Sequence, residues 1–242
     1  MASAYKSNCL ICGEEILYSE QMRPAVCSIC GETFETAGIC KAGHFVCDAC
    51  HSRRAREEIL DTCLHTERRD AVDIARQLME LPWVHMHGPE HHYLVAAALI
   101  TAYYNRGCAK DGAMPLEEAL REAMKRGALV PGGFCGFWGC CGAAVGAGIF
   151  ASLVTGSSPL SRECRGESNL LTAGALERIA RIGGPRCCKR DSFLAIFAAA
   201  DFSKEKWGLQ LTERPSVVCS FYKNNGECIG KACPFNGNGG EK

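Results

Sequence analysis

The sequence has no surplus charge of either sign. Its 27 Lys and Arg residues are matched by 27 Asp and Glu, so the chain as a whole carries no field to draw in nucleic acid or an anionic membrane. No secretory leader is expected either. Met1-Ala2-Ser3-Ala4-Tyr5-Lys6 has neither a basic n-region nor an apolar h-region, and the expectation is a cytoplasmic chain outside any disulfide-forming compartment. Long hydrophobic runs are scarce. The one uncharged stretch, Ala128–Ser161, is broken by Gly136, Gly139, Gly142, Gly146 and Gly148 and follows Pro131-Gly132-Gly133, so buried helices and loops are expected there, not a membrane span.

What is abundant is cysteine, at 18 of 242 residues. Without an export signal, that much thiol reads as metal-binding or redox-active. A composition of 47% hydrophobic and 22% charged residues excludes wholesale disorder and suits one ordinary domain with a small satellite. The pattern predicts a mainly α protein: a helical domain with an N-terminal zinc-ribbon-like module and a short Cys-rich C-terminal tail. Residues 1–56 are poor in aliphatic side chains and hold seven cysteines, so metal must replace the core they cannot build. Residues 57–214 show helical periodicity over 58–81, 93–104, 116–126, 143–154, 169–182 and 192–207, with Gly and Pro between these stretches and no convincing alternating strand. Residues 215–242 return to Cys and Gly and end in Asn236-Gly237-Asn238-Gly239-Gly240-Glu241-Lys242, which is expected to be disordered.

Cys9-x2-Cys12 and, fourteen residues on, Cys27-x2-Cys30 form two thiolate pairs in the tetrahedral zinc-ribbon arrangement, each followed by a glycine, Gly13 or Gly31, that lets the knuckle turn. Cys40-x3-His44-x2-Cys47-x2-Cys50-His51 offers four or five further ligands. Either His44 or His51 completes the second set, and the division of ligands between two sites is open. From Cys27 to Cys50 the order also resembles the first six ligands of a RING, but only Cys63 follows where a closing Cys-x2-Cys pair belongs. Closed four-ligand sites leave no open position, so both are read as structural zinc.

His85-Met86-His87-Gly88-Pro89-Glu90-His91-His92 packs four of the seven histidines ahead of an apolar helix. With Pro89 at the first helical position, His91 and His92 lie in the first turn, where the dipole favours neutral imidazole. His87 and His91 are the best metal or proton-transfer pair and Glu90 a candidate base, against a reading in which these histidines cap or pack. Cys135, Cys140 and Cys141 precede a run of small residues that lets a backbone or a bulky cofactor approach. Cys187 and Cys188 sit among Arg186, Lys189 and Arg190, where cations favour the thiolate used in redox exchange, sulfur transfer or cluster ligation. Cys63 and Cys108 read as small buried hydrophobes. Cys219-x8-Cys228-x4-Cys233-Pro234 supplies three thiols, the last followed by proline as in ferredoxin-type loops. A helical-domain thiol must complete that site, or a four-iron cluster keeps one iron open. The rival is a CCCH RNA-binding finger with Phe221, Tyr222 and Phe235 as stacking surfaces. It lacks its histidine, and Lys223, Lys231 and Lys242 make only a thin basic patch, so the nucleic-acid signal is weak.

The order Cys135, Cys140-Cys141-Gly142-Ala143-Ala144-Val145-Gly146, Cys164, Cys187-Cys188 resembles the redox-active family named for its C…GCAxxG…C…C motif, with the second thiol out of register. Nearly the whole chain more closely resembles a Cys-rich domain family of anaerobic bacteria and methanogenic archaea, through His87-Gly88-Pro89-Glu90-His91-His92, Pro131-Gly132-Gly133-Phe134-Cys135-Gly136-Phe137-Trp138-Gly139 and Gly183-Gly184-Pro185-Arg186-Cys187-Cys188-Lys189-Arg190. That resemblance brings no established activity. It implies an anaerobic cytoplasm, where oxygen-sensitive clusters are practicable.

The expectation is therefore that Cys135, Cys140, Cys141, Cys187 and Cys188 converge on a redox-active or iron–sulfur site with His87 and His91 close by, serving an electron- or sulfur-handling protein with a partner enzyme. Two rivals stand beside it. One is a zinc-dependent adaptor for a partner enzyme or RNA, and the other a metal-dependent enzyme built on the His85–His92 cluster.

Overall fold

A single antiparallel hairpin is the only sheet among the described residues of this computed structural model, which describes residues 9–214 and 216–237. Strand β1 (Ile16–Val26) pairs with β2 (Thr33–Cys40) from Ile16↔Cys40 to Val26↔Thr33, with a shift in register between Tyr18 and Arg23. An isolated hairpin is marginal in water, and most of this one is exposed. What is buried at its ends is sulfur. Cys27, Cys47 and Cys50 form a small core of their own with Phe45 and Val46 beside them.

Eight α-helices follow among the described residues: α1 (Asp48–His65), α2 (Ala71–Met79), α3 (Glu90–Asn105), α4 (Leu116–Ala128), α5 (Phe134–Phe137), α6 (Gly142–Val154), α7 (Glu163–Ile182) and α8 (Cys188–Trp207). The periodicity over 58–81 is two helices, because Asp70 accepts from the N–H groups of Val72 (2.9 Å) and Asp73 (3.2 Å) and starts α2 afresh. Helices α1, α7 and α8 begin earlier than apolar periodicity indicates. Their first turns carry cysteines and charged side chains that the hydrophobic pattern does not count. Helix α3 is buried continuously from Tyr93 to Tyr103, as expected of a helix apolar on every side. Helices α1, α2, α4, α6 and α8 all pack on it.

The small residues of α6 serve this packing. A Cβ on Gly142 would overlap the His92 ring, one on Gly146 the His92 carbonyl oxygen, and one on Gly148 the Thr172 hydroxyl of α7. The close approach is thus by neighbouring helices. No described helix is long and apolar enough to cross a membrane. The expected disorder of the last residues falls largely outside the described ones, and Asn236 N–H donates to the Cys233 carbonyl at 3.1 Å.

Candidate metal centres

Eight N-terminal ligands assemble into two groups, interleaved along the chain. Cys9, Cys12, Cys40 and His44 form one, and Cys27, Cys30, Cys47 and Cys50 the other, with ligand atoms in each within 4.8 Å of one another. The first and third pairs share a site and the second and fourth share the next. This corrects the zinc-ribbon partition, in which Cys9-x2-Cys12 would join Cys27-x2-Cys30. The physical reason is the hairpin: β1 carries the chain away from the first pair, β2 returns it, and Ile16↔Cys40 pairing sets Cys40 beside Cys9 and Cys12. The contacts suit one tetrahedral ion. Sulfur at about 2.3 Å from zinc implies S–S edges of about 3.8 Å, and Cys12–Cys40 and Cys30–Cys47 stand at 3.5 and 3.9 Å. His44 Nδ1 lies 3.3 Å from Cys12 Sγ and 3.8 Å from Cys9 Sγ.

Backbone donors prepare these sulfurs for charge. Gly13 and Gly31 adopt φ of 80° and 75°, and their N–H groups bond back to Cys9 and Cys27 (2.8 and 2.9 Å) to close each knuckle. Cys47 N–H donates to Cys27 Sγ and Ala42 N–H to Cys40 Sγ, both at 3.3 Å. Burial raises Cys27, yet the N–H groups of Cys30, Cys47 and Ile29 outweigh it and bring the thiol to about 6. In the same way Cys9 falls to about 7 through the N–H groups of Cys12 and Ile11. Cys50 is pushed up to about 12 by burial and by the neighbouring thiols Cys47 and Cys30. Four thiolates in one cluster repel one another until a cation joins them.

The histidines divide differently from expectation. His51 stays out of the N-terminal sites and meets His85 and Glu90, the three offering ligand atoms within 4.8 Å of one another. The expected pair, His87 and His91, is in none of the metal-competent groups among the described residues. His87 Nε2 faces Asn225 Oδ1 at 3.2 Å and Glu227 at 3.6 Å, whereas His91 Nδ1 donates to the Gly88 carbonyl at 3.1 Å. Burial drives His91 down to about 3, with Lys189 adding to the shift, so the neutral imidazole expected from its place in the helix is present. Neither His51 nor His85 belongs to a spacing motif that links it to the other. Only the packing of α1 on α3 brings them together.

Cys187 and Cys188 diverge. Cys187 caps α8, accepting from Arg190 N–H at 3.5 Å and from Asn225 Nδ2 at 3.6 Å. It lines a small cavity of about 20 Å³ together with Cys219, Cys228, Cys233, Phe221 and Phe235. Cys188 is half-buried within electrostatic reach of Glu90, Asp191 and Cys141, and Cys141 in turn of Asp191 and Cys135. Cys187 thus faces the tail cavity while Cys188 lies toward Cys141 and Glu90, because successive residues at a helix start point in different directions, and Asp191 is in reach of all three thiols. Nor do the cations make free thiolates. Burial pushes Cys187 up to about 11 and Cys141 to about 12, and raises Cys188 and Cys140 as well. Lys189 Nζ donates to the carbonyls of Met79 (3.1 Å) and Val84 (3.4 Å), and Arg190 pairs with Asp191 at 2.9 Å and donates to the Gly183 and Pro185 carbonyls.

The tail is folded against the helices. Phe221 and Phe235 are 3% and 6% exposed, and Phe235 packs on Phe193 and Phe197, so they are not open stacking platforms. Phe221 N–H donates to Cys219 Sγ and Gly230 N–H to Cys228 Sγ, both at 3.4 Å, the same N–H···S pattern as in the N-terminal knuckles. Cys187 is the helical-domain thiol that shares this cavity with the three tail cysteines, and sequence spacing alone could not select it from the candidates.

Residues 59–236 match a family model described as a family of unknown function, DUF5714. The chain belongs to the DUF5714 family. No curated protein and no solved structure matches it. The DUF5714 region contains His85, Glu90 and the whole Cys187–Cys219–Cys228–Cys233 cavity, while the eight N-terminal ligands and His51 precede it.

Proposed function

We propose that this protein carries an iron–sulfur cluster held by Cys187, Cys219, Cys228 and Cys233, and that it moves single electrons, or sulfur, to a partner enzyme in anaerobic metabolism. Two structural zinc ions hold the N-terminal module. The observation that carries this reading is the convergence of four thiols from separate segments on one aromatic-lined cavity.

The residues fit such a group. Three of the four sulfurs already accept a backbone N–H, and hydrogen bonds to sulfur, together with exclusion of water by Phe193, Phe221 and Phe235, are what set a cluster's potential. The cluster would supply reversible one-electron chemistry. Arg190 on the cavity wall and the positive end of α8 favour the negative charge that four thiolates bring.

Anaerobic purification with iron, zinc and acid-labile sulfide analysis, followed by the Ser variants of the four cysteines, tests this. Broad visible absorbance with iron and sulfide should appear in wild type, persist in Cys188→Ser, and be lost in Cys187→Ser and Cys219→Ser. A chain that binds only zinc and no sulfide would instead be the non-catalytic adaptor.

A further inference from the structure

His51, His85 and Glu90 are drawn from two helices and the segment between them, and their ligand atoms gather within 4.8 Å of one another. His51 lies on α1, one residue beyond the Cys50 ligand, His85 precedes α3, and Glu90 opens α3. The imidazoles face each other with ring centroids 4.3 Å apart. Glu90 has no exposed surface. One of its oxygens accepts the His85 backbone N–H at 2.9 Å and lies 3.3 Å from His85 Nδ1. Its other oxygen, Oε2, has no hydrogen-bond partner, and neither have His51 Nδ1 and His85 Nδ1. Gly88 makes room for this carboxylate, since a Cβ there would overlap both of its oxygens.

Leaving several buried polar atoms unpaired around a carboxylate is costly, and side chains so arranged in native proteins mark a missing partner. A cation satisfies all three at once. We propose that His51, His85 and Glu90 form a third metal centre for a divalent transition ion of intermediate softness, Zn²⁺ or Fe²⁺. Two imidazoles and a carboxylate suit these ions, and three protein ligands leave a coordination position for water or a small anionic ligand. The N-terminal sites are closed by four ligands each, so this centre differs from them in kind. It also ties the N-terminal module to the DUF5714 region, because His51 lies before residue 59 and the other two ligands after it.

The test uses the full-length protein with its thiolate sites filled, titrated with Co²⁺ under anaerobic conditions. One further equivalent should bind and give weak ligand-field bands without the intense near-ultraviolet thiolate-to-cobalt absorption, which separates this site from the cysteine sites. Glu90→Gln, His85→Ala and His51→Ala should each weaken that binding at least tenfold, whereas His65→Ala, on the exposed end of α1, should not. The wild-type titration stands even if a variant misfolds. Uptake of no cobalt beyond the thiolate sites, or equal uptake by all three correctly folded variants, would overturn the proposal, whatever the outcome for the cavity thiols.

Discussion

Cys63 shows how differently two cysteines of one helix can behave. It lies on α1 with Cys50, yet it has no exposed surface, and burial pushes its thiol up to about 12 despite a hydrogen bond involving Thr101. An unfolded thiol titrates near about 8.5, so above that pH the unfolded chain gives up a proton that the folded chain keeps. The contribution of Cys63 to stability is therefore whole below about pH 8 and declines as pH rises toward 12, by up to about 1.4 kcal/mol per unit. Urea unfolding at pH 7.5 and pH 10 should show Cys63→Ala losing about 2 kcal/mol less than wild type between the two, and equal losses would mean the thiol is not held in this way. The reading of Cys63 as a packing residue was available from its isolation on a helical stretch. His44 and His51 were not separable so simply, since both stand at zinc spacing. His44→Ala should release one N-terminal metal ion while His51→Ala leaves both in place, as counted by native mass spectrometry. Loss of an N-terminal ion from the His51 variant would contradict the division of ligands.

At the scale of elements, the helices were legible because apolar periodicity is a local signal, and the interruption at Asp70 was missed because a cap depends on one side chain. Ligand partition was not legible. It depends on strand register, which places Cys40 opposite Ile16 and so beside the first pair, and spacing carries no record of that. The hairpin has little apolar burial of its own, so it should rely on metal. Hydrogen exchange of the whole chain after chelation should show protection lost over residues 16–40 and kept over 93–103, and protection unchanged at the hairpin would refute the dependence. The α3–α6 contact makes an opposite claim about packing. Gly146→Ala sets a methyl against the His92 carbonyl, backbone that cannot swing aside, and should cost about 1–3 kcal/mol in urea unfolding. A variant as stable as wild type would show that the helices are not in close contact.

Across the whole molecule, the chemistry is divided among centres rather than pooled. Among the helical-domain thiols, Cys187 lines the tail cavity while Cys188 and Cys141 lie within electrostatic reach of each other, with Asp191 in reach of all three. The three-thiol tail left a fourth thiol to be found for the proposed site, and the fold sets Cys187, at the start of α8, on the same cavity. That convergence is the central claim, and metal content per chain addresses it most directly. Iron and acid-labile sulfide should be present in equal amounts in anaerobically purified wild type and absent from Cys187→Ser, with the N-terminal zinc unchanged in both. Equal iron and sulfide in wild type and Cys187→Ser, or zinc alone in both, would contradict the account.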